Sequence, residues 1–413
     1  MKDFEIPFQF QSWYINQIKG IRQNADKLKK DLSPSELQFN KSKIYISRHF
    51  GFCFGVQSAV EKVYQVLEEH KGKNIYLISE IIHNQEVNDD LRSKGIQFIQ
   101  NTKGEQLIPW ENINQKDIVL IPAFGTTLET LEILKSKKIQ YEAFDTTCPF
   151  VERVWNKAEK LGSEGYTVII HGKFDHEETR ASFSHAAKNS KVIVISNLEN
   201  AKMLSDFILG KNNDDRDWNV FFKPFASTGF NFRKDLERIA LVNQTTMLAN
   251  ETQIIADFLK DVMIKKHGIE NIDHYFGSTR DTLCYATNDN QSASKALLDK
   301  ELDLAIVVGG QNSSNTKHLV ELLNERFPTY FIQSDHDLTD DKNIIHFDLK
   351  EGKRRNVYGY LPSKEQLKIG ITSGASCPDA LLERVFLKLI HFVEGTADVD
   401  AAINNLKERI NGL

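Results

Sequence analysis

The sequence predicts an α/β protein with mainly parallel sheets. Three observations carry this. Short β-rich apolar runs alternate with amphipathic 3.6-period segments, each run hands over through a turn rich in Gly, Ser, Thr or Asn, and 413 residues leave room for two or three such units. Strands buried on both faces read as continuous apolar runs, and a following helix supplies the crossover to a parallel neighbour.

In chain order, residues 1–42 form an N-terminal extension with helical stretches and a polar end, "KKDLSPSELQFN". "KIYIS" then precedes "QSAVEKVYQVLEEH", "NIYLISE" precedes "NQEVNDDLRSKG", and "DIVLIPAFG" precedes "TLETLEILKSKK". "YTVIIHG" leads to "EETRASFSHAAKN" and "IALVNQTT" to "ETQIIADFLKDVMIKK". Further on, "LDLAIVVGG" leads to "NTKHLVELLNERF" and "KIGITSGAS" to "PDALLERVFLKLIHF". Residues 209–238, polar and then aromatic, read as a surface insertion or long loop. The expected division is three α/β domains, 43–147, 148–283 and 284–395, with a C-terminal helical tail at 396–413.

Composition narrows the class. Hydrophobic residues at 40% and charged residues at 26% describe a globular chain, and a formal net charge of −5 argues against a sequence-independent grip on nucleic acid. No apolar run has the length that spans a bilayer. Asp3 and Glu5 interrupt the N-terminus, which lacks the pattern of a secretory signal or transit peptide, so a cytoplasmic location with no membrane partner is expected. In that reducing setting the four cysteines are expected as free thiols or metal ligands.

Three of them share a context. Cys53 stands between a strand and a helix in "GFCFGV", Cys148 precedes Pro149 at a helix start, and Cys284 precedes the helical "YATNDNQSASKALLDK". Three thiolates suit an iron–sulfur cluster or a zinc site with an open position, and helix N-termini favour the thiolate form. Buried core thiols are the plain alternative. Cys377, in "GASCPDAL", reads as an incidental small residue. In "GFCFGV" the glycines would let backbone approach a bulky group, and the phenylalanines would help exclude water.

Hydroxyls and amides gather at other strand ends. "QNSSNT" supplies Ser313, Ser314 and Asn315, "TSGAS" supplies Ser376, and "NQTTML" supplies Gln244, Thr245 and Thr246. Such loops bind anions at helix N-termini, or simply cap the helices. "EIIHNQEV" offers His83, and "HGKFDHEETRAS" offers His171, His176, Glu177 and Glu178, as donors or as a solvated helix start. No Walker A, H-E-x-x-H or G-x-G-x-x-G pattern occurs.

Taken in order, "GFCFGV", "IIHNQEV", "FDTTCPFV", "HGKFDHEET", "NQTTML", "CYATNDNQ", "VVGGQNSSNT" and "TSGASCPD" resemble the 4-hydroxy-3-methylbut-2-enyl diphosphate reductase (IspH/LytB) family from about residue 43 to 395. "PAFG", "HEET" and "NQTTML" resemble its plant and cyanobacterial branch. The resemblance implies three α/β domains in a pseudo-threefold trefoil around a 4Fe-4S cluster. That cluster has three ligands, matched by Cys53, Cys148 and Cys284, and one open iron. It implies a two-electron reductive dehydroxylation giving isopentenyl and dimethylallyl diphosphate, fed by a ferredoxin or flavodoxin-type donor. His83, His176, Ser313, Ser314, Asn315 and Ser376 match the diphosphate set, Glu178 the proton relay, and Thr245 a hydroxyl beside it. The common bacterial Ala-His-Gly motif is here Ala123-Phe124-Gly125, so anion binding at that corner falls to other groups such as Thr126 or Thr127.

Overall fold

The computed structural model describes residues 7–277, 282 and 284–412. Met1–Ile6 of the extension, Leu413, and most of the stretch read as leading into Cys284 (278–281 and 283) lie outside the described residues. Helix α1 (Tyr14–Ala25) comes first, followed by β1 (Ser35–Gln38), β2 (Ser42–Ile46) and α2 (Phe54–Glu69). Then come β3 (Ile75–Leu77), α3 (Gln85–Ser93), β4 (Gln97–Phe98), β5 (Ile118–Leu120) and α4 (Leu128–Ser136). The middle holds α5 (Pro149–Ser163), β6 (Thr167–His171), α6 (Glu177–Ala187), β7 (Val192–Ile195), α7 (Leu198–Ile208), α8 (Asp215–Phe221) and α9 (Phe232–Asp235). It continues with β8 (Ile239–Asn243), α10 (Ala249–His267), α11 (Ile272–Tyr275) and β9 (Phe276–Gly277). The last third contains α12 (Tyr285–Leu298), β10 (Leu304–Val308), α13 (Ser314–Asn324), β11 (Thr329–Ile332), β12 (Asn343–Asp348) and β13 (Lys353–Tyr358). β14 (Leu367–Ser373), α14 (Asp379–Glu394) and α15 (Val399–Asn411) close the chain.

Two compact units result. The first comprises the chain up to Glu61, His83–Asp89 and the chain from Tyr285; the second comprises Lys62–Ile82 and Asp90–Cys284.

In the first unit, β1-β2-β14-β10-β11 form one sheet, parallel except for β1. Along β10, Leu304, Ile306 and Val308 enter one core cluster with Ile369 and Ile371 of β14, while Ala305 and Val307 enter another with Tyr45 and Phe331. Both faces are therefore buried, which is why this strand reads as an unbroken apolar run. The strand "KIYIS" is β2 and pairs with β14, so it belongs to the last sheet and not to the sheet that follows it in sequence.

The extension is part of this unit's core. Ile15 and Ile18 of α1 are buried in the cluster that holds Val385 and Phe386 of α14 and Ile403 of α15. Glu383 of α14 accepts the backbone N–H groups of Tyr14 (2.6 Å) and Ile15 (3.0 Å) and the Ser12 hydroxyl, satisfying the open start of α1. The hairpin β12–β13, among whose β13 residues are Lys353, Arg354 and Arg355, has no long apolar run and escaped the sequence reading.

The second unit carries two parallel sheets, β4-β3-β5 and β7-β6-β8-β9. Residues 209–238 are not a long loop: they contain α8 and α9, whose Trp218 and Phe232, with Phe222 between them, pack on Phe207 of α7. Aromatic burial orders this segment despite its polar beginning.

Candidate functional site

In the first unit the candidate residues are tied together by backbone contacts at the carboxyl ends of β10 and β14. The Cys53 N–H donates to Ala375 O (3.1 Å), and the Ser376 hydroxyl donates to His83 O (3.1 Å). A Cβ on Gly310 would lie 2.2 Å from His83 O, so only glycine lets the loop after β10 approach the His83 turn. Cys53, His83, Ser376 and the "QNSSNT" loop thus share one end of one sheet.

Ser313 caps α13. Its Oγ accepts from the Thr316 N–H (3.2 Å) and the Thr316 hydroxyl (2.9 Å), which leaves its own O–H to donate outward. Capping and ligand binding are therefore compatible at this residue. Ser314 and Asn315 are buried in the first turn. Asn315 is 2% exposed, yet neither Oδ1 nor Nδ2 finds a hydrogen-bond partner among the described residues. A buried primary amide with two unmet groups is disfavoured by roughly 1–3 kcal/mol per group unless a ligand completes it. The start of α13 adds the partial positive charge that suits an anion.

The setting of Cys53 corrects two expectations. A Cβ on Gly51 (φ +78°) would meet Asp379 Oδ1 at 2.0 Å, beside the Lys19–Asp379 ion pair (2.6 Å). That glycine makes room for the pair. Phe54 is 48% exposed, so it does not keep water from the thiol. Cys53 itself is half-buried, and its carbonyl accepts from the Gln57 N–H (2.9 Å) at the start of α2. Cys377 is fully buried and its thiol is pushed up by that burial, so it is an inert core residue.

In the second unit, Cys148 is the N-cap of α5, with Pro149 in the first turn as expected. Burial pushes its thiol up to about 11, and the neighbouring charges of Cys284 and Glu178 add to that, against the N–H groups of Phe150 and Val151. Cys148, Cys284 and Glu178 are thus electrostatic neighbours.

Glu178, 1% exposed, sits in the first turn of α6. Its Oε1 accepts from the Thr245 N–H (2.6 Å) and its Oε2 from the Thr245 hydroxyl (2.8 Å), which joins the ends of β6 and β8. Gln244 strengthens the junction: its Oε1 accepts from the Lys173 N–H (3.0 Å) and the Thr179 hydroxyl (3.0 Å), and its Nε2 donates to Thr246 (2.6 Å). His176 is the N-cap of α6, and its Nδ1 accepts from the Glu178 N–H (3.2 Å). In the neutral ring this fixes the proton on Nε2, the donor that an anion requires. His171 is a different case: it is fully buried and its Nδ1 meets the Thr252 hydroxyl at 2.9 Å.

Phe124 acquires a role that sequence reading missed. It packs edge-on against the His176 ring, with centroids 5.7 Å apart and planes at 86°. The contact joins residues 52 positions apart and leaves no local signal. Thr127 caps α4, where its hydroxyl accepts from the Thr130 N–H (3.3 Å).

Among the described residues no three His, Cys, Asp or Glu side chains form a site for a single metal ion. Each of the three thiols directly precedes a helix of fourteen residues or more, a setting that favours the thiolate form a cluster would take, and Cys148 and Cys284 are electrostatic neighbours within the second unit.

Comparison with known proteins bears on the chain as a whole. The family described as LytB protein matches residues 44–390. A 4-hydroxy-3-methylbut-2-enyl diphosphate reductase from Prochlorococcus marinus subsp. pastoris is 38% identical over 384 residues, covering 92% of this chain and 91% of its own. One from a Picosynechococcus species is 39% identical over 355 residues, covering 86% and 85%. Among solved structures, the E-1-hydroxy-2-methyl-but-2-enyl-4-diphosphate reductase from Plasmodium falciparum shares the fold, with a TM-score of 0.60 at 24% identity over 90% of this chain and 99% of that one.

Proposed function

The chain belongs to the LytB family, and from that premise we infer that it is the oxidoreductase that converts 4-hydroxy-3-methylbut-2-enyl diphosphate to isopentenyl and dimethylallyl diphosphate. Two electrons and two protons enter, and the allylic C–O bond is replaced by C–H with release of water. The family works with an iron–sulfur cluster. We assign Cys53, Cys148 and Cys284 as its ligands in a 4Fe-4S form with one iron left open. When bound, the cluster supplies electrons and Lewis acidity for loss of the hydroxyl group.

The chain's own residues divide the remaining work. His83, Ser313, Ser314, Asn315 and Ser376 in the first unit, and His176 in the second, take the diphosphate, each offering a donor that meets a phosphate oxygen. Glu178 carries a proton toward the leaving hydroxyl, held in place by Thr245. A ferredoxin or flavodoxin-type protein supplies the electrons. We place the chain in a reducing, cytoplasmic setting, and no described helix is long and apolar enough to cross a membrane. The division into three α/β domains, 43–147, 148–283 and 284–395, stays within this reading.

The observation that carries the diphosphate assignment is the buried, incomplete amide of Asn315. Inorganic pyrophosphate tests it as a competitive inhibitor. Asn315→Ala is expected to raise both its Ki and the substrate KM roughly ten-fold, the weight of one hydrogen bond to a charged group. Unchanged values of both would refute the assignment.

A further inference from the structure

In the second unit, Trp155 of α5 and Ser182, Ser184 and His185 of α6 meet around one turn, residues 123–128, between β5 and α4. The reaction above gives none of the four a task. Gly125 (φ +75°) lies against the Trp155 indole, where an added Cβ would come within 2.3 Å of the ring. Backbone conformation and space both require glycine there. The His185 ring stacks on the same indole, with centroids 3.9 Å apart and planes at 11°, and its Nε2 donates to Thr126 O (3.2 Å). A carbonyl only accepts, so the ring proton sits on Nε2. Burial holds His185 below the ordinary imidazole range, and the ring is neutral near pH 7.

α6 grips the turn at further points. The Ser184 hydroxyl accepts from the Leu128 N–H (2.9 Å) and donates to Glu129 (2.8 Å), while the Ser182 hydroxyl accepts from Trp155 Nε1 (3.1 Å). The same turn meets two functional groups. The Ala123 carbonyl accepts from the Cys148 N–H (2.9 Å), and Phe124 packs edge-on against His176. His176 caps the start of α6, while His185 lies in its last turn, about 13 Å further along the helix axis. Near its end, α6 therefore holds the turn that supports the histidine at its own start. The bond from the Glu178 N–H to Nδ1 holds the His176 ring but allows rotation about that bond, and the Phe124 contact opposes the rotation.

We propose that Trp155 and His185 are positioning residues that, through Phe124, keep the His176 Nε2–H aimed at the diphosphate. The proposal rests on the diphosphate-binding part of the reductase reading. His185 holds the Thr126 carbonyl and Trp155 forms the floor under Gly125, so the Phe124 ring has a fixed base. Without them the turn relaxes, the ring leaves His176, and the donor swings away from its phosphate oxygen. Hydrogen bonds weaken steeply once the donor angle falls below about 120°, so a modest swing is enough. In this role Trp155 and His185 touch no reacting atom, and their loss weakens binding without slowing bond cleavage. Phe124 thereby gains an indirect part in anion binding: it supports a donor where a histidine would itself donate.

The test uses the cluster-loaded full chain and reads the Kd of inorganic pyrophosphate by calorimetry, with KM and kcat for the allylic diphosphate. His185→Leu removes the donor, Trp155→Leu the stacking surface and Phe124→Ala the ring, whereas His185→Gln keeps an N–H of similar reach. The first three are each expected to raise Kd and KM about three- to ten-fold, with kcat within about two-fold of wild type. His185→Gln should bring both back to within about two-fold of wild type. His185→Leu combined with Phe124→Ala should bind no more weakly than Phe124→Ala alone, because one acts through the other. A Kd left unchanged by Phe124→Ala or His185→Leu overturns the proposal, as do additive losses in the double variant. A lower kcat or urea midpoint with unchanged Kd means a merely structural role and also overturns it. Phe124 is only half-buried, so its variant decides the outcome even where His185→Leu folds poorly. Wild-type protein that binds pyrophosphate and shows this pattern, yet turns over no allylic diphosphate, contradicts the reductase reading alone.

Discussion

At Glu178 each carboxylate oxygen has its own partner on Thr245, so replacing the acid by an amide preserves shape while removing the proton. Glu178→Gln is expected to keep the cluster's visible absorbance and a KM within about three-fold. Its kcat should fall on the order of 10²- to 10⁴-fold, the range of a general acid. A wild-type kcat would remove Glu178 from the proton path. Cys377 makes the opposite prediction: Cys377→Ala should turn over within about two-fold of wild type, and the native thiol should resist alkylation until the protein is unfolded. Rapid labelling in the folded state would contradict its burial. Thiols, hydroxyls and the His176–Glu178 pair were legible in sequence because their chemistry is local to short motifs. The fit of Gly51 around Asp379 and of Phe124 against His176 was not, because each depends on residues far along the chain.

Among the elements, α13 shows why a cap and a ligand site need not compete, since Ser313 accepts at the helix start and still has a proton to donate. α1 shows the limit of reading an extension as an appendage. Its polar surroundings concealed Ile15 and Ile18, which enter the core beside α14 and α15. Ile18→Ala should destabilise the protein by about 2–5 kcal/mol, read from the urea midpoint, because a buried side chain leaves a cavity. A loss below about 1 kcal/mol would mean that α1 is only loosely attached. The segment 209–238 carries the same lesson: charge at its beginning outweighed its aromatics in the reading, while in the fold Trp218 and Phe232 anchor it.

For the whole molecule, the parallel α/β character was legible because strands buried on both faces leave continuous apolar runs. Sheet membership was not, because β2 pairs with β14 across more than three hundred residues and no periodicity records a partner. The thirds suggested by cysteine spacing therefore do not coincide with the sheets at the first boundary. Function was legible through eight ordered motifs, and the comparisons place the chain in the family those motifs indicated. The most direct measurement is anaerobic turnover of 4-hydroxy-3-methylbut-2-enyl diphosphate by the cluster-loaded chain with reduced methyl viologen, followed by product analysis. The account predicts isopentenyl and dimethylallyl diphosphate, with two reducing equivalents consumed for each substrate. A fully loaded protein that binds the substrate and yields neither product would contradict it.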